Sequence, residues 1–174
     1  MNLPATAQKF IVHWGEMGAR WGINRSVAQI HALLYLSPKP LPADEIVETL
    51  AIARSNVSVG LKELQSWGIV RATQTLGDRR DHFETSSDVW ELFRAIIRER
   101  KRRELDPTLA LLRECVAEAK SSESEQLPHL DERLEAMLEF MELTEAWGER
   151  AAKLSPKNLR RLAKLGDSIF KLAE

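Results

Sequence analysis

The sequence predicts a mainly α-helical chain with one small β-hairpin and long helices toward its C-terminal end. Three observations lead to that class. Apolar residues recur at three- and four-residue intervals through most of the chain, which is the period of a helix with one buried face. β-branched residues gather in one place, IVRATQTL and DHFETS, on either side of the turn-forming GDRR. Breakers such as SPKPLP and Gly68 separate the periodic segments.

Each element follows in order. A first helix runs from about Ala5 to Arg20 and ends in WGINRS; a second, Arg25 to Leu36, has the apolar set Val27, Ile30, Leu33 and Leu34. Pro42 suits the first position of a third helix, PADEIVETL, because its missing N–H is harmless there, and Asp44 and Glu45 sit where the helix dipole favours acids. After the turn Ala51 to Ala53, Val57, Leu61 and Leu64 fall at i, i+4 and i+7, and Gly60 on the same side permits another backbone to approach. Ser55, Asn56, Ser58, Val59, Lys62 and Ser66 are left outside.

Gly68 closes that helix and leads into the hairpin. From Asp88 everything is helical again: Val89 to about Leu105, then a restart at Asp106 and Pro107 running to Lys120, then the polar loop KSSESEQ. Leu127, Leu130, Leu134, Met137 and Met141 have the spacing of a helix seam, and Ser155 with Pro156 caps a last helix through Leu159, Leu162, Ile169 and Phe170. The expected organisation is an N-terminal helix (1–23), a helix-and-hairpin unit (24–87) and a helical dimerisation region (88–174).

Composition narrows the classes of function. With 174 residues, 44% hydrophobic and 29% charged, the chain suits one globular domain, or one with a helical appendage. Its single cysteine, Cys115, excludes a disulfide framework within the chain and fits a reducing compartment. His13, His31, His82 and His129 lack metal-ligand spacing, so no metal is expected. MNLPATAQKF lacks the features of a signal peptide and no apolar run would cross a bilayer, so a cytoplasmic protein with no membrane partner is expected. A net charge of −1 argues against indiscriminate coating of nucleic acid by the whole molecule and leaves room for a local basic surface. With no phosphate loop, nucleophile elbow, zinc-protease or dinucleotide motif, neither catalysis nor a cofactor is expected.

The order helix, helix, turn, helix, strand, basic turn, strand is that of a winged helix-turn-helix. A helix fits the major groove of B-DNA, and small residues at its N-terminal end let it approach base edges. Arg54, Ser55, Asn56 and Ser58 stand there. Asn56 suits adenine, Val59 a thymine methyl, and Lys62 a phosphate or guanine. Arg79 and Arg80, read as the tip of the hairpin, would reach the backbone or a narrow minor groove, with His82 assisting.

The run from WGINRSVAQIHALLYLSPKPLP through ARSNVSVGLKELQSWGIV to GDRRDHFET, with DVWELF after it, resembles the GbsR-type branch of the MarR winged-helix regulators. The resemblance covers roughly the first 100 residues. It implies a homodimeric repressor or activator acting on a double-stranded operator, with dimer contacts from terminal helices and often a link to compatible solutes such as glycine betaine. On matching positions it makes Ser55, Asn56, Ser58 and Lys62 recognition-helix contacts and Arg79 and Arg80 wing contacts. Ala53 departs from the pattern, standing where related helices carry a capping serine, so the helix either starts later at Ser55 or is less firmly held.

Other features have competing readings. RAIIRERKRR (Arg94 to Arg103) reads as the solvated face of a long helix rather than a DNA contact. Trp14 and Trp21, seven apart, offer aromatic faces for a quaternary ammonium effector such as choline or betaine, and equally for packing. The alternative to a DNA-binding regulator is a winged-helix module that binds another protein, and a steep salt dependence of specific DNA retention would separate the two.

Overall fold

The computed structural model describes residues 3–121, 127–155, 157–159, 161 and 165. They fall into two units, one through Ala95 and one from Ile96.

The first unit is built around its second helix. α1 (Ala5–Arg20) leads through Asn24, whose Oδ1 accepts the Ser26 N–H at 2.9 Å, into α2 (Arg25–Leu36). That cap satisfies a donor the helix cannot reach itself. α2 buries Val27, Ala28, Ile30, His31, Ala32, Leu33 and Leu34, so it is covered on several sides rather than along one stripe. Burying a side chain such as Ile30 or Leu33, both fully inaccessible, stabilises by about 1.5–3 kcal/mol. α1 closes on α2 where both are small: a Cβ on Gly18 would lie 2.6 Å from the Ala28 Cβ. α4 (Arg54–Ser66) closes on the same helix with Val57, Leu61 and Leu64 buried, and a Cβ on Gly60 would come 2.7 Å from Ile30 Cδ1. Gly60 thus has the close-approach role its position in the stripe indicates. Between them, α3 (Ala43–Leu50) buries Ile46.

An aromatic row crosses the α1–α2 seam. Phe10 stacks on Trp14 at 5.4 Å, Trp14 lies 6.3 Å from His31, and His31 lies 6.2 Å from Tyr35. His31 is 5% exposed and its Nε2 has no hydrogen-bond partner. Burial pushes its pKa down from 6.5 to about 4, because a charged imidazole there would lose its hydration.

The sheet departs from expectation in two ways. It has three strands, β1 (Leu41–Pro42), β2 (Val70–Thr75) and β3 (Asp78–Thr85), in the order β1-β3-β2 with both pairings antiparallel. Pro42, expected as the first residue of α3, stands before the helix with φ −73° and ψ 154° and pairs with His82 across the sheet. Its fixed φ serves an extended residue as well as a helical one, and at a sheet edge the missing N–H goes unneeded. The hairpin turn is only Leu76 and Gly77, with Thr75 opposite Asp78. Gly77 takes φ +86°, where a side chain would be strained. Arg79 and Arg80, expected in the turn, therefore belong to β3.

The second unit contains the end of α5 (Val89–Arg100), a π-helical turn over Lys101–Leu105, α6 (Asp106–Ser121) and α7 (Leu130–Lys153). Helix is expected across this stretch with a restart at Asp106, and the π turn falls at that junction. Pro107 explains it: proline cannot donate to the carbonyl four residues back and its ring crowds that carbonyl, which opens the preceding turn. α6 and α7 run antiparallel, linked by Lys120–Glu135 at 2.6 Å and Arg113–Glu142 at 2.9 Å. α6 brings Leu109, Val116 and Ala119 to this seam. α7 turns Leu130, Leu134, Leu138 and Met141 inward. Leu127 and Met137, expected in the seam, are exposed, because four-residue steps carry the stripe from Leu134 to Leu138. Ser155 Oγ accepts the Asn158 N–H at 3.2 Å, as a cap does. The rest of the expected last helix, with Pro156, Leu162, Ile169 and Phe170, lies outside the described residues.

Candidate nucleic-acid interface

α4 begins at Arg54 with Ala53 at its N-cap, and no side chain caps it. The helix therefore does not wait for Ser55. Arg54 Nη1 lies 2.6 Å from Asp44 Oδ1, a charge contact that ties this end to the first turn of α3. The pair is largely exposed, so its worth to stability is small, about 0–1 kcal/mol. It does bias where the guanidinium and the helix end sit. Ser55, Asn56, Ser58, Val59 and Lys62 are all exposed, while Val57, Gly60, Leu61 and Leu64 are buried. Val59 is 63% exposed, an apolar side chain in the middle of that polar face.

At its other end the helix hands over to the hairpin through Gly68, at φ +71°, whose N–H reaches Gln65 O at 2.9 Å while Ile69 N–H reaches Leu64 O at 3.0 Å. These bonds satisfy carbonyls the helix leaves open. β2 starts two residues later, so helix and wing are joined by a short, hydrogen-bonded corner.

On β3 the pairing with β2 steps from Gln74–Asp81 to Thr75–Asp78, so Arg79 and Arg80 form a bulge next to the turn. Arg80 is held by Asp78: its Nε donates to Oδ1 at 3.0 Å and its Nη2 to Oδ2 at 2.6 Å. The hydrogen bonds from Arg80 keep the Asp78 carboxyl far below the usual carboxylate range and raise the guanidinium in turn. Further along, Arg71 on β2 pairs with Glu84 at 2.7 Å. His82 is buried; its Nδ1 lies 2.9 Å from the Arg80 carbonyl and its Nε2 3.5 Å from Asp78 Oδ2. Arg79 is exposed, and among the described residues it has no ion pair. The Asp78 clamp was readable as an acid two residues before a base on one strand; the depth of His82 depends on Pro42 arriving opposite it, which no local pattern announces.

The remaining candidates are placed as follows. Trp14 is half-buried in the aromatic row, whereas Trp21 lies past the end of α1 as its C-cap and is more than half exposed. In the basic run, Arg100 pairs with Glu104, Arg102 with Glu99, and Lys101 with Asp106 and Glu145. Asp106 and Glu145 hold the Lys101 ammonium well above its ordinary pKa. Cys115 is a half-buried free thiol. Among the described residues no group of His, Cys, Asp and Glu is placed to hold a metal, and no helix is long and apolar enough to cross a membrane.

A buried helix scaffold, a helix with an exposed polar N-terminal face and a hairpin joined to it define a winged helix-turn-helix protein. Residues 16–81, from the last turn of α1 to the middle of β3, match the model of the MarR family. The HTH-type transcriptional repressor GbsR of Bacillus subtilis (strain 168) is 26% identical over 98 residues, 56% of this chain and 54% of that protein. The match thus spans about half the length of that relative. A solved structure described as a transcriptional regulator superposes with a TM-score of 0.65 at 17% identity, covering 84% of this chain and 95% of the other. That likeness shows a shared fold.

Proposed function

We propose that this chain is a sequence-specific DNA-binding transcriptional regulator, acting as a homodimer and repressing its target. The observation that carries the reading is α4: the buried residues Val57, Gly60, Leu61 and Leu64 are apolar or glycine, and the outer face of its N-terminal half is short and polar or basic apart from Val59. In this reading Asn56 and Ser55 meet base edges, Ser58 and Val59 line the groove floor, and Arg54 and Lys62 meet phosphates. Arg79 and Arg80 belong to the wing contact, with His82 supporting Arg80 through its carbonyl. Repression is supported by the likeness to GbsR, a transcriptional repressor.

The homodimer is supported by α7, which leaves Met137, Phe140, Leu143 and Trp147 exposed on a helix already packed on α6 along another face. A contiguous apolar stripe of this kind is characteristic of an interface. For a quaternary ammonium effector such as choline or betaine the aromatic candidates are Trp21, more than half exposed, and Trp14, which stacks on Phe10. Tryptophan emission titrated with both compounds tests this, and constant emission at millimolar ligand rejects it.

The deciding experiment for DNA binding is selection of duplexes from a random pool. A recovered palindrome with a steep salt dependence supports the regulator and its two-fold symmetry. Failure to retain any duplex, together with capture of a protein partner by the exposed face of α4, would favour a protein-interaction module instead.

A further inference from the structure

At the apex of the wing stands a residue that no recognition scheme above uses. Leu76 is wholly exposed, at 105% of its reference area. The other exposed large hydrophobics of the first unit, such as Val12, Leu36 and Val59, are 40–63% exposed and partly sheltered on helices. A two-residue turn is ordinarily made from Gly, Asn, Asp or Ser, whose backbone preferences and short polar groups suit it. Gly77 meets the conformational need at φ +86°, and a Cβ built there meets nothing within 4 Å, so the apex stands clear of the rest of the unit. The charges around it are sorted as well: Arg80 is paired with Asp78 and Arg71 with Glu84, while Arg79, three residues from the leucine, has no ion pair among the described residues.

We propose that Leu76 is an apolar wedge which the wing sets into the minor groove of the bound duplex, with Arg79 anchoring it to the phosphates alongside. The proposal rests on the DNA-binding reading above. Its geometry is favourable. Paired strands lie about 4.8 Å apart and the minor groove is about 6 Å wide, so the bare apex of a two-residue turn enters where the full ribbon with its side chains does not. Inside, the leucine leaves water for the C–H walls of the deoxyriboses and the edges of the bases. Apolar side chains pressed into the minor groove part neighbouring base pairs and bend the duplex away from themselves. The exocyclic amino group of guanine protrudes into that groove and obstructs the wedge, so the wing favours A·T steps without reading a hydrogen-bond pattern.

The test uses the full chain and a duplex recovered by wild-type protein from the random pool. Leu76→Ala removes no contact within the protein, so its thermal unfolding should match wild type. Its affinity for the recovered duplex should fall about tenfold, with an unchanged slope of log affinity against log salt, because no phosphate contact is lost. Arg79→Ala should lower that slope by about one. End-to-end energy transfer across the duplex should show less bending with Leu76→Ala than with wild type. Replacing A·T by G·C under the wing should weaken wild type, inosine·C should restore it, and Leu76→Ala should be indifferent to both changes. Wild-type affinity, bending and base preference in Leu76→Ala would overturn the wedge while leaving DNA recognition standing. Failure of wild type to retain any duplex would overturn both.

Discussion

Replacing His31 by phenylalanine should flatten the dependence of stability on pH between neutrality and about pH 4. The imidazole sits among Trp14, Tyr35 and the buried face of α2, is 5% exposed, and has an Nε2 with no partner. In the unfolded chain it takes up a proton below about 6.5; in the fold it resists until about 4. Over that window the unfolded state binds more protons, so stability must fall as pH falls, and the loss is complete once pH drops below the folded value. The gap from 6.5 to about 4, at about 1.4 kcal/mol for each tenfold in proton affinity, amounts to about 3 kcal/mol. Phenylalanine keeps a ring in the row and carries no proton, so urea unfolding of both proteins from pH 7.5 to 4 isolates the contribution by difference. Asp78, whose carboxyl is held far below its usual range by Arg80, retains its own contribution above the ordinary carboxylate pKa and loses it as pH falls toward the depressed value. It is common to both proteins and cancels. Parallel curves for wild type and His31→Phe would refute the argument.

Four further outcomes are expected. Gly18→Ala should destabilise by about 1–2 kcal/mol in urea, since overpacking against the Ala28 Cβ outweighs the gain in helix propensity; Gly60→Ala, whose one close clash is with the movable tip of Ile30, should cost less. Asn56→Ala should weaken the selected operator by about 1–3 kcal/mol in a binding titration and leave unrelated DNA nearly unaffected. Asp78→Asn should weaken operator binding although it removes a negative charge, because the clamp that orients Arg80 is lost; a gain in affinity would mean that Asp78 merely neutralises it. Phe140→Asp combined with Trp147→Asp should convert a dimer to monomer in sedimentation without loss of helix content, and an unchanged mass would remove α7 from the interface.

Where burial is one-sided and local, the sequence was sufficient. Val57, Gly60, Leu61 and Leu64 alternate against Ser55, Ser58, Val59 and Lys62 in a way that has one helical solution, and the structure has it. The limits of α1, α2 and α4 follow from Asn24, the prolines after Leu36 and Gly68, each acting on its own neighbours. Pro42 was misplaced because its role depends on His82, forty residues away, and a proline satisfies the sheet edge and the helix start alike. The composition of GDRR predicts a longer wing turn, and only the cross-strand pairing of Thr75 with Asp78 shows that the chain has already reversed. Met137 and Leu138 are adjacent and both apolar, so spacing alone did not decide which faces α6.

The missing serine before α4 acquires a meaning once folding and binding are weighed together. The first bond of that helix is Val57 N–H to Ala53 O, at 3.1 Å, so the amides of Arg54, Ser55 and Asn56 precede the ladder, and no side chain caps the start. A serine at position 53 would take up one of those donors and stabilise the free protein by about 1 kcal/mol. Alanine leaves the donor capacity to whatever acceptor approaches the helix end, where the dipole already favours negative charge. In the proposed complex, stability given up by the isolated fold would be returned on association, and order at the tip of α4 would be coupled to occupancy of the groove. Ala53→Ser should accordingly slow amide exchange at the helix start in the free protein and shrink the additional slowing that DNA produces there.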